Sequence, residues 1–364
     1  MIGARDPSAP PVRAFMSVKT QFDNLGDALI NRELARLISA HAATTIDFSR
    51  CPDSFRQAMK LEASSNIRPL ARFGYVRLLA RMTTAAMAGT QCYFFLNPGG
   101  LGRRPLSRKQ LRSGSLNNLL LWALRSLGVR VCLLGVSYDP LDSKSLKLTR
   151  ERASLLHRLV VRDEASATYL RSVGIRVDAI MPDLSFGLYQ EDGPSNKDRP
   201  TIAFSFRFDG LGARQIEAFV TAVMGHFGPE YRFAFVAQVG RDVGPMRSLE
   251  AVCQEATGFQ TNFYACIDDI AKMGQYYAGC RAIFSNRLHA LLLAAHASAA
   301  PVAAIDRTCD GKIIGLFDDM DLSDRIISLN DPQAVNACNL QSLDPFLMKA
   351  QYAKLSDYVE ELVR

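Results

Sequence analysis

The chain lacks metal-ligand patterns. Its 8 cysteines form no CxxC pair and no Cys/His cluster at zinc spacing. That excludes the usual structural zinc site and a thioredoxin-type redox motif. Several of them, Cys92 and Cys132 included, sit inside apolar runs and read as reduced, buried thiols of a cytoplasmic protein. Long apolar runs are missing too: none approaches the roughly 18 residues a membrane-spanning helix needs. Residues 1–13 are polar and proline-rich, unlike a secretory leader. No HExxH segment, Ser/His/Asp order, carboxylate pair or P-loop lysine stands out. The positive charge reads as spread along the chain, dense only at Gly102–Lys109 and without interleaved aromatics there. That argues against nucleic acid as a partner.

What is present is a packed α/β protein. A chain of 364 residues, 48% hydrophobic and 22% charged, suits two domains of ordinary size. Its formal net charge of +7 fits an anionic substrate, a nucleic acid or an anionic membrane surface and does not choose among them. Short apolar runs alternate with helical patterns, as in a doubly wound parallel layer. Strands are expected at 14–18, 44–48, 92–96, 129–134 and 159–161, with helices at 27–41, 109–127, 150–157 and 164–173. Segment 53–88 is helical or mixed and resists placement. Residues 187–200 (GLYQEDGPSNKDRP) are polar and rich in turn formers, which marks a domain boundary. Beyond it, strands are expected at 201–205, 232–237, 282–285 and 302–305, and helices at 213–226, 246–257, 267–278 and 288–297. The expected division is a first α/β domain over 1–190, a second over 200–344, and a closing helix within 345–364 that packs across either half. Ligands of such sheets bind beyond the carboxyl ends of the strands.

The residues able to carry chemistry lie at those strand ends. Arg287 and His289 follow the apolar run Ala282–Phe284 and open a helix of small apolar residues. A helix N-terminus favours anions, arginine adds a planar charge suited to phosphate or carboxylate, and histidine exchanges a proton near neutral pH. Together they describe a site that holds an anion and protonates something beside it. Asn24–Ile30 (NLGDALI) follows the first strand, with Gly26 permitting close approach and Asp27 suited to cap the helix. It reads as a turn plus cap, or as a sugar or phosphate contact. Gly99-Gly100 follows another strand. Arg162, in VRDEAS, points into the cleft or forms a structural ion pair with Asp163 or Asp183, while Asp163 caps the next helix with Ser166 in its first turn. Arg207 reads as an ordinary exposed arginine or as a second cleft residue. His296, on roughly the same helical face as His289, reads as core, and His157 sits close to Arg162 but on a preceding element.

These motifs resemble the polysaccharide pyruvyl transferase family. The resemblance rests on NLGDALI (24–30), Gly99-Gly100, VRDEAS (161–166), Met181-Pro182-Asp183, SNRLHA (285–290), Ala300-Pro301-Val302 and Lys312, and it covers roughly residues 15–320. It implies two doubly wound Rossmann-like domains facing a cleft, as in GT-B glycosyltransferases, with the first domain on the acceptor side and the second on the donor side. It implies transfer of a pyruvyl group from phosphoenolpyruvate, as co-substrate, to a sugar of a polysaccharide or of its lipid-linked precursor. The products are a pyruvate ketal and phosphate. Carried onto this chain, His289 is the acid. Arg162, Arg287, Leu288 and Lys312 line the phosphoenolpyruvate site, and Asn24, Gly26, Asp27, Gly99 and Gly100 belong to the acceptor side. No cofactor or metal is implied, and any membrane contact is peripheral. The chain departs from the family pattern after the strand containing Val131–Leu134. There Val136–Asp139 forms a loop in which Tyr138 and Asp139 replace smaller residues. Two other readings stay open: a nucleotide-sugar-dependent glycosyltransferase, and a non-catalytic sugar- or anion-binding relative.

Overall fold

The computed structural model describes residues 11–61, 66–102, 105–189, 198–208, 212–306 and 310–363. The proline-rich start, part of the basic run 102–109 and most of the 187–200 boundary lie outside the described residues.

Strands β1 (Val12–Ser17), β2 (Ala43–Asp47), β3 (Ile67–Leu70), β4 (Gln91–Leu96), β5 (Gly99–Leu101), β6 (Arg130–Tyr138), β7 (Arg158–Val161) and β8 (Ala179–Ile180) form the first sheet. Its order is β3-β2-β1-β4-β6-β7-β8, with β5 pairing β6. Strands β9 (Thr201–Ser205), β10 (Arg232–Ala237), β11 (Thr261–Ala265), β12 (Cys280–Ser285), β13 (Ala300–Ile305) and β14 (Ile326–Ser328) form the second, in the order β11-β10-β9-β12-β13-β14. Neighbouring strands run parallel in both sheets. Parallel strands are covered on both faces and so read as continuous apolar runs, which is why APVAAI and TIAFS were legible as strands. In each sheet the chain reverses direction once, between β1 and β4 and between β9 and β12. Those reversals open the crevices where ligands bind in such folds.

Most expected helices form within a residue or two of their predicted limits, at Leu25–His41, Arg108–Ser126, Glu164–Ser172, Leu288–His296 and Pro345–Val363. The helix expected at 150–157 spans Ser143–Leu155 instead, because Asp142 accepts from the N–H groups of Lys144 and Ser145 and starts it earlier. Segment 53–88 resolves into helix Asp53–Met59, strand β3 and helix Gly74–Met87. The closing helix packs on Leu25–His41 and on the turn Leu184–Leu188 of the first half. One apolar cluster runs from β1 and helix Leu25–His41 through helix Leu288–His296 to the inner face of the second sheet. The two halves therefore share a core.

Val136–Tyr138 is not a loop. Strand β6 continues to Tyr138 because β5 pairs with its last three residues. The Tyr138 ring is buried, and only Asp139 reaches the space between the halves.

Candidate active site

A cleft of about 720 Å³ lies between the two sheets. Its walls include the segments that leave β1, β4, β9 and β12, the four strands at the reversal points, together with residues that follow β6, β7, β10 and β13. On the first side, Asn24 caps helix Leu25–His41, its side chain accepting from Gly26 N–H at 3.0 Å. Asp27, expected as the cap, sits within the first turn instead. Its carboxylate accepts from Asn24 Nδ2 at 3.0 Å, from Gln21 N–H at 3.2 Å and from the Thr20 hydroxyl. Burial pushes the Asp27 carboxyl upward, against the lowering effect of the Thr20 hydrogen bond and the His289 charge.

On the second side, Asn286 clamps the backbone of Arg207, accepting from its N–H at 2.8 Å and donating to its carbonyl at 3.0 Å. This tie joins the ends of β9 and β12. Arg207 pairs with Asp310 and Arg287 with Asp242, and both arginines line the cleft. Arg207 is therefore a half-buried cleft residue and not an ordinary exposed one. Arg287 also caps helix Leu288–His296 through its backbone, and Leu288 occupies that helix's first turn in the cleft wall.

His289 belongs to the second half, but its surroundings belong to the first. Its Nε2 lies 3.4 Å from Arg162 Nη1 and 3.8 Å from Asp183 Oδ2. Arg162 is buried and donates to Asp183 at 2.7 Å and to Ser137 Oγ at 2.6 Å. Ser137 in turn donates to Asp163, which caps helix Glu164–Ser172 by accepting from Ser166 N–H at 2.7 Å. Both readings of Arg162 hold at once: it lines the cleft, and it pairs with Asp183. Burial alone would raise the Asp183 pKa. The Arg162 charge, with the His289 ring nearby, outweighs it and holds the carboxyl well below its ordinary range. Asp183 is thus a fixed anion behind the imidazole.

Gly26 does not line the cleft. A Cβ at position 26 would overlap the His289 ring, so the glycine forms the floor on which the imidazole lies. Gly99 and Gly100 do line the cleft. Lys312 Nζ reaches across to Asp139 at 2.8 Å and to the Leu101 carbonyl at 3.3 Å, passing close over Gly100. Every expected site residue except Gly26 thus reaches one cavity. The sequence reading missed Arg241, Gln238 and Asp242. They follow β10, a strand with no recognisable motif at its end. His157 lies at the far end of β7 from Arg162, outside the cleft. His296 is half-buried, its ring edge-on to Phe186 at 5.8 Å. Among the described residues, no three His, Cys, Asp or Glu side chains group as metal ligands.

A family model for polysaccharide pyruvyl transferases matches residues 24–307, from the capping Asn24 to just beyond β13. The chain belongs to that family. No curated protein matches it by sequence. As a pyruvyl transferase family member, it shares its fold with solved structures of other activities. HepE of Anabaena, in complex with UDP, superposes with a TM-score of 0.55 at 12% identity, covering 97% of this chain and 94% of that one. The trehalose-6-phosphate synthase OtsA gives 0.55 at 10% identity, with 96% of each chain covered. An MnaA–UDP complex from S. aureus gives 0.52 at 8% identity, covering 96% and 97%. At such identities the likeness concerns the fold: two parallel-sheet Rossmann-like domains arranged as in GT-B glycosyltransferases. No described helix is long and apolar enough to cross a membrane.

Proposed function

We propose that this pyruvyl transferase moves a pyruvyl group from phosphoenolpyruvate onto two hydroxyls of one sugar, closing a cyclic ketal and releasing phosphate. The observation that carries the reading is the convergence of His289, Arg162 and Arg287 on one cleft, with Asp183 fixed behind the imidazole. The donor is the phosphate ester of an enol and also bears a carboxylate, so its site needs several cations placed together.

His289 delivers a proton to the terminal CH₂ carbon of the enol, which becomes a methyl group. The adjacent carbon gains oxocarbenium character, and a sugar hydroxyl oxygen bonds to it. That hydroxyl's proton returns to His289. The C–O bond to phosphate then breaks, and a second sugar hydroxyl closes the ring, its proton leaving with phosphate. Arg287 and the N-terminus of helix Leu288–His296 stabilise the departing phosphate. The Asp183 carboxylate lies behind the ring, 3.8 Å from its Nε2. The acceptor side is the wall of Asn24, Asp27, Gly99 and Gly100. The acceptor is a sugar of a polysaccharide or of its lipid-linked precursor, and the reaction belongs to the cytoplasm.

The test measures phosphate release from phosphoenolpyruvate with a panel of sugars. Removing a general acid typically costs about 10²–10⁴-fold in rate. His289→Ala is therefore expected to lose nearly all turnover while still being thermally stabilised by phosphoenolpyruvate, and Arg287→Ala to lose that stabilisation. Near-full activity in His289→Ala would remove the assigned role. Stabilisation by a nucleotide sugar and not by phosphoenolpyruvate would move the reading to glycosyl transfer.

A further inference from the structure

The charge of this protein is not evenly spread. Residues 63–138 contain 11 Arg and Lys and no Asp or Glu, an excess larger than the net +7 of the whole chain. Two helices of this stretch, Gly74–Met87 and Arg108–Ser126, cover the same face of the first sheet. Leu78 and Met82 of one and Leu121 and Leu124 of the other pack into a single cluster with Phe15 and Phe94. Their opposite sides look outward together. On helix Arg108–Ser126 the outward side is apolar: Leu116 is 69% exposed, Leu119 61% and Trp122 58%. At about 100° per residue, Arg108, Arg112, Leu116, Leu119 and Trp122 share an arc of roughly 120°. On the same side of the sheet the other helix exposes Val76 at 68% and, at its start, Phe73 at 69%, with the Arg72 guanidinium 5.3 Å above the Phe73 ring. Helix Ser143–Leu155, packed against Arg108–Ser126, adds Lys144, Lys147 and Arg150 against the single carboxylate of Glu151.

Large apolar side chains ringed by arginine and lysine, with one tryptophan among them, match the chemistry of a lipid–water interface. The apolar groups enter the acyl boundary, indole prefers headgroup depth, and cationic heads meet anionic lipid while their stems stay in contact with apolar surface. A second copy of the chain does not suit this face, because pairing it with itself would set like charges against each other. A nucleic-acid backbone does not suit it either, since Leu116, Leu119 and Trp122 occupy the centre where phosphates would need contacts.

We propose that the outer face of helices Gly74–Met87 and Arg108–Ser126 docks this protein on an anionic lipid bilayer. The docking does not rest on the donor chemistry. It has a geometric counterpart inside the molecule. The inner side of helix Arg108–Ser126 lines a second cavity of about 420 Å³, which shares Lys19, Asn97, Leu101 and Gln110 with the main cleft.

Trp122 is the only tryptophan of the chain, so its emission reports on this face alone. The full-length protein is titrated with vesicles of phosphatidylcholine, and with vesicles of phosphatidylcholine mixed with phosphatidylglycerol. The expected result is a blue shift with the anionic vesicles only, fading at high salt. Arg108→Ala and Arg112→Ala should each weaken binding roughly fivefold. The double variant Leu116→Asp/Leu119→Asp should abolish the shift while its melting temperature stays near that of the parent. The proposal is overturned if anionic vesicles at low salt give no shift, or if they bind the protein while Trp122 emission stays unmoved. It is also overturned if RNA, or the protein's own concentration, produces the same shift as vesicles.

Discussion

The imidazole of His289 occupies the space that a side chain at position 26 would fill. Two residues 263 positions apart are thereby coupled: the His289 ring can lie against Asp183 and Arg162 only while residue 26 has no Cβ. Gly26→Ala is expected to push the ring away from Asp183. Turnover should fall by about the same 10²–10⁴-fold as loss of the acid itself, although residue 26 stays out of the cleft. Thermal stabilisation by phosphoenolpyruvate should survive, because Arg287 is untouched. If Gly26→Ala kept parental turnover, the ring's placement would not matter. At this scale the sequence revealed much of the site. Arg162, Arg287, His289 and Lys312 are charged residues at strand ends or helix starts, where parallel sheets gather their chemistry. The role of Gly26 was not legible, because it depends on which side chain from the other half lies over it. The same holds for Asp183, whose partner His289 is 106 positions away.

At the scale of elements, apolar runs fixed most strands, since strands buried on both faces show no alternation to misread. The errors have local causes. Strand β6 was cut short at Leu134 because Gly135 ends the apolar run, while the hydrogen bonds that extend it come from the three-residue β5. Strand β11 is half exposed and carries little apolar signal. Helix Leu288–His296 is buried nearly all round, and this has a consequence for pH. His296 at its end is half-buried with its Nε2 shielded from solvent, and burial lowers its pKa from 6.5 to about 4. Between those values the unfolded chain binds a proton that the folded protein excludes. The contribution of this group is therefore complete above pH 6.5 and declines as the pH falls toward 4. Urea titrations at pH 6.5 and pH 5 should differ by about 2 kcal/mol from this group. His296→Gln should flatten that part of the profile. An unchanged profile in the variant would assign the acid sensitivity elsewhere.

At the scale of the molecule, the halves meet through a common apolar cluster and a few polar bridges. Leu25 N–H donates to the Gln238 carbonyl at 3.0 Å, Gly240 N–H donates to the Asp23 carbonyl at 2.8 Å, and Lys60 pairs with Asp269 at 2.9 Å. Lys312 and Asp139 form another bridge at the mouth of the cleft. Two partly exposed partners of this kind stabilise by about 0–1 kcal/mol, so the bridge contributes little to holding the halves together. If Lys312 serves the donor, Lys312→Met should raise the KM for phosphoenolpyruvate roughly tenfold or more. Asp139→Asn, which removes a competitor for the ammonium, should leave KM equal or lower. Equal small changes in melting temperature with no change in KM in either variant would make Lys312 a tie between halves and nothing more. The sequence disclosed the two-sheet plan and the pooled strand ends. It did not disclose the concentration of charge on one outer face, because a net total hides where the acids are missing.

The imidazole of His289 is carried by one half and the carboxylate, the arginine and the glycine floor around it by the other. Neither half alone holds this cluster. A substitution anywhere along the seam that tilts one sheet against its neighbour slides the imidazole off its counter-ion, with no change in the cleft's own residues. Inheritance of the chemistry is therefore inheritance of a fit. Two such halves exchanged between relatives would stay silent until their contact surfaces, and the core they share, had been matched again.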